Sequence, residues 1–227
     1  MTSTTSTTST PQAATAALPA DPVEAAAALG VGARITLSVM SDDYVRVITD
    51  ALAAVDGTGL ELDTDRVSTF VRGPEQRIAE YLRDLVAAAA ASGHHVVATL
   101  MVSRGCPGEV CGVVPPPAVE TPRLTPTGLI VQAQWSLYPL FDPVSAPPDG
   151  VPADADHLAP VWAAIDRARE AGTFLRAEHF VTTLRGDLSD VLTTVLDTWL
   201  AAAQATQHVV THATVVAHSP AASEALR

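Results

Sequence analysis

Two stretches of this chain decide its fold: residues 67–107, VSTFVRGPEQRIAEYLRDLVAAAAASGHHVVATLMVSRGCP, and residues 180–220, FVTTLRGDLSDVLTTVLDTWLAAAQATQHVVTHATVVAHSP. They align without a gap at an offset of 113 positions, and 12 of the 41 pairs are identical. Each copy has the order of apolar strand, Arg-Gly break, amphipathic helix and apolar strand. A repeat of this length predicts a doubled domain, with two related sites or one pseudo-symmetric core.

The residues in front of each copy complete the same unit. In the first half, the alternation of Ile35, Leu37 and Val39 with polar residues predicts a half-buried strand, and a helix beginning at Ser41 follows it. With the hairpin that leads into the copy, the order becomes βαββαβ, the split pattern of a ferredoxin-like domain. We therefore expect an α+β protein of tandem ferredoxin-like repeats, with two four-stranded antiparallel sheets and helices on one face of each.

Local composition predicts where the domains of the chain begin and end. The first 30 residues are rich in Thr, Ser, Ala and Pro and lack an apolar period, so they predict a disordered leader. A Pro/Asp-rich insertion at 141–155 has no counterpart in the first copy. The expected segments are a leader (1–30), a first repeat (31–107), a Pro-rich connector (108–127), a second repeat (128–220) and a tail (221–227).

Charge and motif content exclude several function classes. A net charge of -12 with 13 Lys+Arg argues against nucleic-acid binding, which needs clustered cations. No apolar stretch approaches the roughly 20 residues of a membrane span, and the N-terminus is unlike a signal peptide, so we expect a cytoplasmic protein without membrane insertion. Cys106 and Cys111 are too few for structural zinc, and His208 and His212 would lie roughly 13 Å apart on a strand. We expect no metal, no cofactor and no catalytic motif.

Hydroxyl groups inside apolar strands are the first candidates for a binding site. Thr69 and Thr182 occupy equivalent places, each flanked at i±2 by apolar residues. A buried hydroxyl without a partner costs about 1–3 kcal/mol, so the main chain or a ligand must satisfy it. In a ferredoxin-like sheet the first and third strands are neighbours, and we therefore expect Ser38 to approach Thr69 and Tyr138 to approach Thr182.

Histidines are the second candidates. His95 and His208 begin the closing strands of the two copies. Each could bond to the neighbouring loop, line a ligand pocket or act as a general base in a small enzyme. Arg72 and Arg185 are also equivalent, and each could cap a strand end.

Five segments together resemble the YkoF family of thiamine/hydroxymethylpyrimidine-binding proteins, over about residues 30 to 220. They are Arg34–Asp43, Val67–Gly73, Ser103–Gly108, Gln134–Leu140 and Ala217–Pro220. The family's Tyr-Pro on the opening strand is present as Tyr138-Pro139, whereas the first copy has Ser38-Val39.

The resemblance implies a non-enzymatic homodimer that binds thiamine or its precursor hydroxymethylpyrimidine (HMP), with one pocket per repeat and a role in thiamine supply or uptake. It also implies that Thr69, with Thr182 as its repeat equivalent, touches ligand. The expected binding residues are Ser38, Thr69, His95, Tyr138, Thr182 and His208. A ligand-sensing regulatory module that acts on a transporter or enzyme partner is the alternative.

Overall fold

The computed structural model describes residues 18–110, 114–117, 120–140 and 158–220. Within them the chain runs strand, helix, strand, strand, helix, strand twice, after a short first helix. The elements are α1 (Pro22–Ala28), β1 (Gly32–Val39), α2 (Tyr44–Ala54), β2 (Glu61–Thr64), β3 (Thr69–Arg72), α3 (Glu75–Ala90), β4 (Val96–Arg104), β5 (Ile130–Leu140), α4 (Ala159–Glu170), β6 (Phe174–Glu178), β7 (Val181–Asp187), α5 (Leu188–Ala202) and β8 (His208–Ala217). The α+β class predicted from the sequence is confirmed.

The strands form one sheet of eight, in the order β2-β3-β1-β4-β8-β5-β7-β6. The expectation of two separate four-stranded sheets is therefore wrong. Strands β4 and β8, the last of each half, pair antiparallel from Val96↔Ala217 to Arg104↔Val209. The physical reason is that each would otherwise be a long apolar edge strand with unpaired main-chain groups.

The junction of the two halves is symmetric. Leu100 and Ala213 are equivalent in the 113-residue repeat, and they are paired with each other across β4 and β8. A pseudo-twofold axis therefore passes through this pair and relates the equivalent strands of the two halves.

The helices cover one face of the sheet. Alternate strand residues are buried beneath them, and a single row crosses the centre of the sheet through Ile35, Leu100, Ala213 and Trp135. The indole Nε1 of Trp135 donates to Thr211 Oγ1 at 2.8 Å, so this large ring is buried with its polar atom satisfied. We call this side the helix-covered face and the other the open face, because no described helix packs on it.

The disordered leader predicted for residues 1–30 includes residues that form a helix. Residues Pro22–Ala28 form helix α1, capped by the Asp21 carboxylate, which accepts from Val23 N and Glu24 N. Ala26 of this helix is buried in the core, and that contact explains the order that composition failed to predict. Residues 1–17, the tail 221–227, the insertion at 141–155 and Cys111 lie outside the described residues.

Buried polar groups anchor the connector to both halves. The Arg104 guanidinium at the end of β4 donates to Pro115 O at 2.7 Å and lies 3.5 Å from Glu75. Burial lowers the pKa of Arg104, and the Glu75 carboxylate partly offsets that effect. On the other side, the Asp187 carboxylate accepts from Thr127 N and Gly128 N as well as Ser189 N.

Candidate functional site

The two predicted threonines lie on the helix-covered face. Thr69 is paired with Ile35 and is 4% exposed, and Thr182 is paired with Trp135 and is 6% exposed. The Thr69 hydroxyl shares a hydrogen bond of 3.0 Å with that of Thr64 on the neighbouring strand. Each half therefore has one buried threonine in the same row of the sheet.

The polar pairs expected from the sequence do not form. Ser38 is paired with Val97 and Tyr138 with Val210, and both side chains belong to the open face. Thr69 and Thr182 belong to the other face. Thr69 is instead paired with Ile35 and Thr182 with Trp135, each three residues from the expected partner, and an odd offset along a strand puts two side chains on opposite faces. The sequence identified the right strands, but it could not fix their register.

Two of the apolar residues that were expected to flank Thr69 and Thr182 within their strands lie outside those strands. Val67 and Phe180 were expected inside strands, but each lies in its hairpin turn and is strongly exposed. Phe180 has a φ of 75° and His179 a φ of 40°, which is the backbone of a tight hairpin turn. The Phe180 carbonyl accepts from Ser136 Oγ at 3.2 Å, and this bond ties the turn to β5.

The histidines lie at opposite ends of the sheet. His208 begins β8 opposite Leu140, so it is a diagonal neighbour of Tyr138. His95 immediately precedes β4, and its carbonyl accepts from Met40 N at 2.9 Å, two positions beyond Ser38. Within the described part of the chain, the buried Nε2 of His95 has no hydrogen-bond partner. The structure thus brings Ser38 near His95 and Tyr138 near His208.

The open face has a polar centre that the sequence did not single out. One row of paired residues crosses five strands as Thr36, Thr99, Thr214, Gln134 and Thr183. The neighbouring side chains Met101 and Tyr138 are 43% and 49% exposed, so this face presents mixed apolar and hydroxyl groups. Such a lining suits a flat heterocycle with a few donors and acceptors.

Thr183 is the most informative residue of this row. It is only 1% exposed, and its Oγ1 has no hydrogen-bond partner among the described residues. Its register partners on the open face are Gln134 and Arg176, which are longer and exposed. The Thr182-Thr183 pair in the sequence was the available signal, since alternation assigns one threonine to each face.

In the first half, the part of the open face that is equivalent to the surface around Thr183 is occupied by the Phe70 ring and two arginine side chains, which we call the Phe70 stack. The Phe70 ring lies 4.9 Å from the Arg72 guanidinium and 5.7 Å from that of Arg34. Arg34 bonds to Asp65 at 3.0 Å, and the pKa of Asp65 is lowered by hydrogen bonds from the main-chain N–H groups of Ser68 and Val67 and then by Arg34. Arg72 pairs with Glu61 and, at 2.7 Å, with Glu109.

A separate cleft of about 170 Å³ opens between α4 and α5. Two of its charged groups are paired with each other, since Asp197 accepts from Arg167 at 3.0 Å and also from Thr121 Oγ1 at 2.5 Å. Among the described residues, no group of three His, Cys, Asp or Glu side chains could hold a metal ion. No described helix is both long enough and apolar enough to span a bilayer.

Comparisons with known proteins agree with the sequence resemblance. The model of the YKOF-related family matches residues 30–109 and 130–222. The Bacillus subtilis (strain 168) protein YkoF, whose name assigns HMP/thiamine binding to it provisionally, is 30% identical over 193 residues, covering 83% of this chain and 90% of that protein. On both grounds, this chain belongs to the YkoF-related family.

Proposed function

We propose that this protein is a non-enzymatic binding protein for HMP or thiamine and that the ligand binds on the open face of the sheet. The observation that carries the proposal is Thr183, a buried hydroxyl on that face whose Oγ1 has no partner in the described part of the chain. An unsatisfied buried hydroxyl costs about 1–3 kcal/mol, and a ligand that bonds to it recovers that cost. The name of the Bacillus subtilis relative supports the choice of ligand.

The chemistry of the ligand fits the residues around Thr183. An aminopyrimidine offers ring nitrogen acceptors and amino donors, and a hydroxyl beside the Gln134 amide can satisfy both kinds of group. Gln134 faces Thr183 directly in the register, and its exposed side chain can turn aside to admit a ligand. Tyr138 and His208 lie further along the same face and could contact the remainder of a larger ligand. The net charge of -12 favours the thiazolium cation of thiamine.

Two of the six residues expected from the sequence, Tyr138 and His208, belong to the proposed site. Ser38 and His95 lie in the first half, away from Thr183. Thr69 and Thr182 are omitted because they lie beneath the helices. We further propose that each half is a ferredoxin-like unit, and that a second copy of the chain covers part of the open face in a homodimer.

Isothermal titration calorimetry with HMP and with thiamine tests the proposed function. The unaltered chain should bind at least one of them saturably, and Thr183→Val should weaken that binding by about tenfold through the loss of one hydrogen bond. Thr36→Val is the matched control, because Thr36 is on the same face but four strands away, roughly 19 Å. The absence of heat with both ligands at millimolar concentration would refute the proposed function.

A further inference from the structure

The cleft between α4 and α5 is lined mainly by one stripe of α5. Its volume of about 170 Å³ is comparable with the roughly 150 Å³ of a cavity that holds a six-carbon ring. Five lining residues follow one another on α5 at the spacing i, i+3, i+4, i+7 and i+8, which places them on the side that faces α4: Asp190, Thr193, Thr194, Asp197 and Thr198. Such a stripe is normally apolar where one helix packs on another. Here every member is polar, and the two helices leave a space between them.

The first half shows that the fold can fill this space. The 113-residue offset of the repeat makes Tyr81 and Leu85 of α3 the counterparts of Thr194 and Thr198. Tyr81 and Leu85 are 2% and 1% exposed, so two large side chains are buried in the first half where the second half has two small threonines. The second half therefore forgoes buried apolar surface at this position, and functional sites are where such losses of stability are commonly kept.

The floor of the cleft is apolar although it is built from threonines. The Thr194 hydroxyl donates to the carbonyl oxygen of Asp190 at 2.9 Å, and the Thr198 hydroxyl donates to that of Thr194 at 2.7 Å. Because both hydroxyls are bonded to the main chain of the helix, the threonine methyl groups and the side chain of Ala171 are left to contact a ligand.

The rim of the cleft carries more negative than positive charge. Asp197 is paired with Arg167 at 3.0 Å, and its side chain is 13% exposed. Asp190 is exposed, and among the described residues its carboxylate has no cationic partner. Its counterpart in the first half is Arg77, which bonds to Thr58 O at 3.2 Å in the loop after α2. The cleft thus has one carboxylate in excess above an apolar floor, in a chain whose net charge of -12 attracts cations.

We infer that this cleft is a second binding site, separate from the proposed HMP site, for a small organic cation with an ammonium head and a compact apolar body of about six to eight non-hydrogen atoms. The apolar body contacts the threonine methyl groups, and the ammonium group lies beside Asp190. Thr183 belongs to the open face, on the other side of the sheet, so the inference goes beyond the proposed function and does not depend on it.

Calorimetric titration of the full chain with choline tests the inference, because choline is a compact cation of this size. Choline should bind saturably, with half-saturation at roughly millimolar concentration. The uncharged alcohol in which a carbon atom replaces the choline nitrogen should bind about tenfold more weakly. Asp190→Asn should weaken choline binding by about threefold to fivefold. Asp166→Asn is the matched control, because it removes the same charge from an exposed ion pair of α4 that lies outside the cleft.

The double variant Thr194→Tyr/Thr198→Leu copies the first half into the second. It should abolish choline binding and leave HMP binding unchanged, whereas Thr183→Val should leave choline binding unchanged. Circular dichroism would establish that each variant is folded, and Asp190→Asn decides the question if the double variant is not.

Three outcomes would overturn the inference: no saturable choline binding, equal binding of the uncharged alcohol, or equal effects of Asp190→Asn and Asp166→Asn. None of them bears on HMP binding. A chain that binds choline in the cleft but fails to bind HMP or thiamine would refute the proposed function and leave the inference standing.

Discussion

At the scale of single residues, the two kinds of buried threonine differ in whether their hydroxyls are satisfied. Thr69 shares a hydrogen bond with Thr64, whereas Thr183 Oγ1 has no partner in the described part of the chain. A protein gains no stability from a buried hydroxyl that is left unpaired. Functional sites often keep residues that lower the stability of the fold. We therefore attribute the unpaired hydroxyl of Thr183 to ligand binding and not to stability.

This difference predicts opposite effects of one substitution at two positions. Thr183→Val should raise the free energy of unfolding by about 1 kcal/mol because it removes an unpaired hydroxyl. Thr69→Val should lower it by about 1 kcal/mol because it removes the hydrogen bond that Thr69 shares with the exposed Thr64 hydroxyl. Urea denaturation without ligand measures both. A loss of stability in Thr183→Val would mean that its hydroxyl is satisfied in the folded chain.

At the scale of elements, the fold depends on the contact between the end of β4 and the beginning of β8. Gly105 follows β4 with a φ of 71°, and its N–H donates to Leu29 O at 3.0 Å. A Cβ here would overlap the carbonyl oxygen of Gln207 and lie 2.8 Å from its carbonyl carbon. The close approach of these two segments is possible only because residue 105 has no side chain.

Gly105→Ala should therefore destabilise the protein by more than 2 kcal/mol, about 1 kcal/mol from the left-handed backbone and the remainder from the overlap. Gly93→Ala is the matched control, because Gly93 has a φ of 75° and nothing within 4 Å of an added Cβ. Thermal or urea unfolding of both variants measures the difference. Equal losses in the two variants would show that the steric contact with Gln207 is unimportant.

Asp187 connects α5 with the beginning of the second half. Burial raises its pKa, but hydrogen bonds from the N–H groups of Ser189, Thr127 and Gly128 outweigh that effect, so the pKa lies below the ordinary aspartate value of 3.8. A carboxyl whose pKa is lower in the folded than in the unfolded state stabilises the fold at pH values above both. That contribution is lost as the pH falls through the folded pKa.

Asp187→Ala should lower the free energy of unfolding by about 1–2 kcal/mol at pH 7, because it removes the N-cap of α5 and the bonds to the connector. The difference from the unaltered chain should begin to shrink below about pH 4, where the carboxyl is protonated in the unfolded chain, and should disappear as the pH falls through the lower pKa of the folded state. Asp50→Ala removes an exposed carboxylate from α2 and should cost a few tenths of a kcal/mol. A pH-independent effect of Asp187→Ala would contradict the role of its charge.

At the scale of the whole molecule, two similar halves form one continuous sheet with a helix-covered face and an open face. The order of the elements and the α+β class could be predicted, because the repeat and the alternation in Arg34–Met40 depend on local sequence alone. The pairing of β4 with β8 could not be predicted, since it is a long-range contact between two strands that each looked complete. The faces of Thr69 and Thr182 depend on register, which periodicity does not fix.

The open face also leads to a prediction about assembly. Met101 lies beside the pseudo-twofold axis and is 43% exposed, so a homodimer that uses this face would bury it. Met101→Glu would then place a charge in the interface and should weaken self-association by more than tenfold. Val45→Glu, on the exposed side of α2, should leave association unchanged. Light scattering over a range of concentrations measures both, and a monomeric unaltered chain would contradict the homodimer.

The most direct test of the central claim is a crystal structure of the chain grown with HMP. We predict density for the pyrimidine on the open face, with a ring nitrogen or amino group within hydrogen-bond distance of Thr183 Oγ1. Density beneath the helices beside Thr69 or Thr182, or in the cleft between α4 and α5, would contradict it.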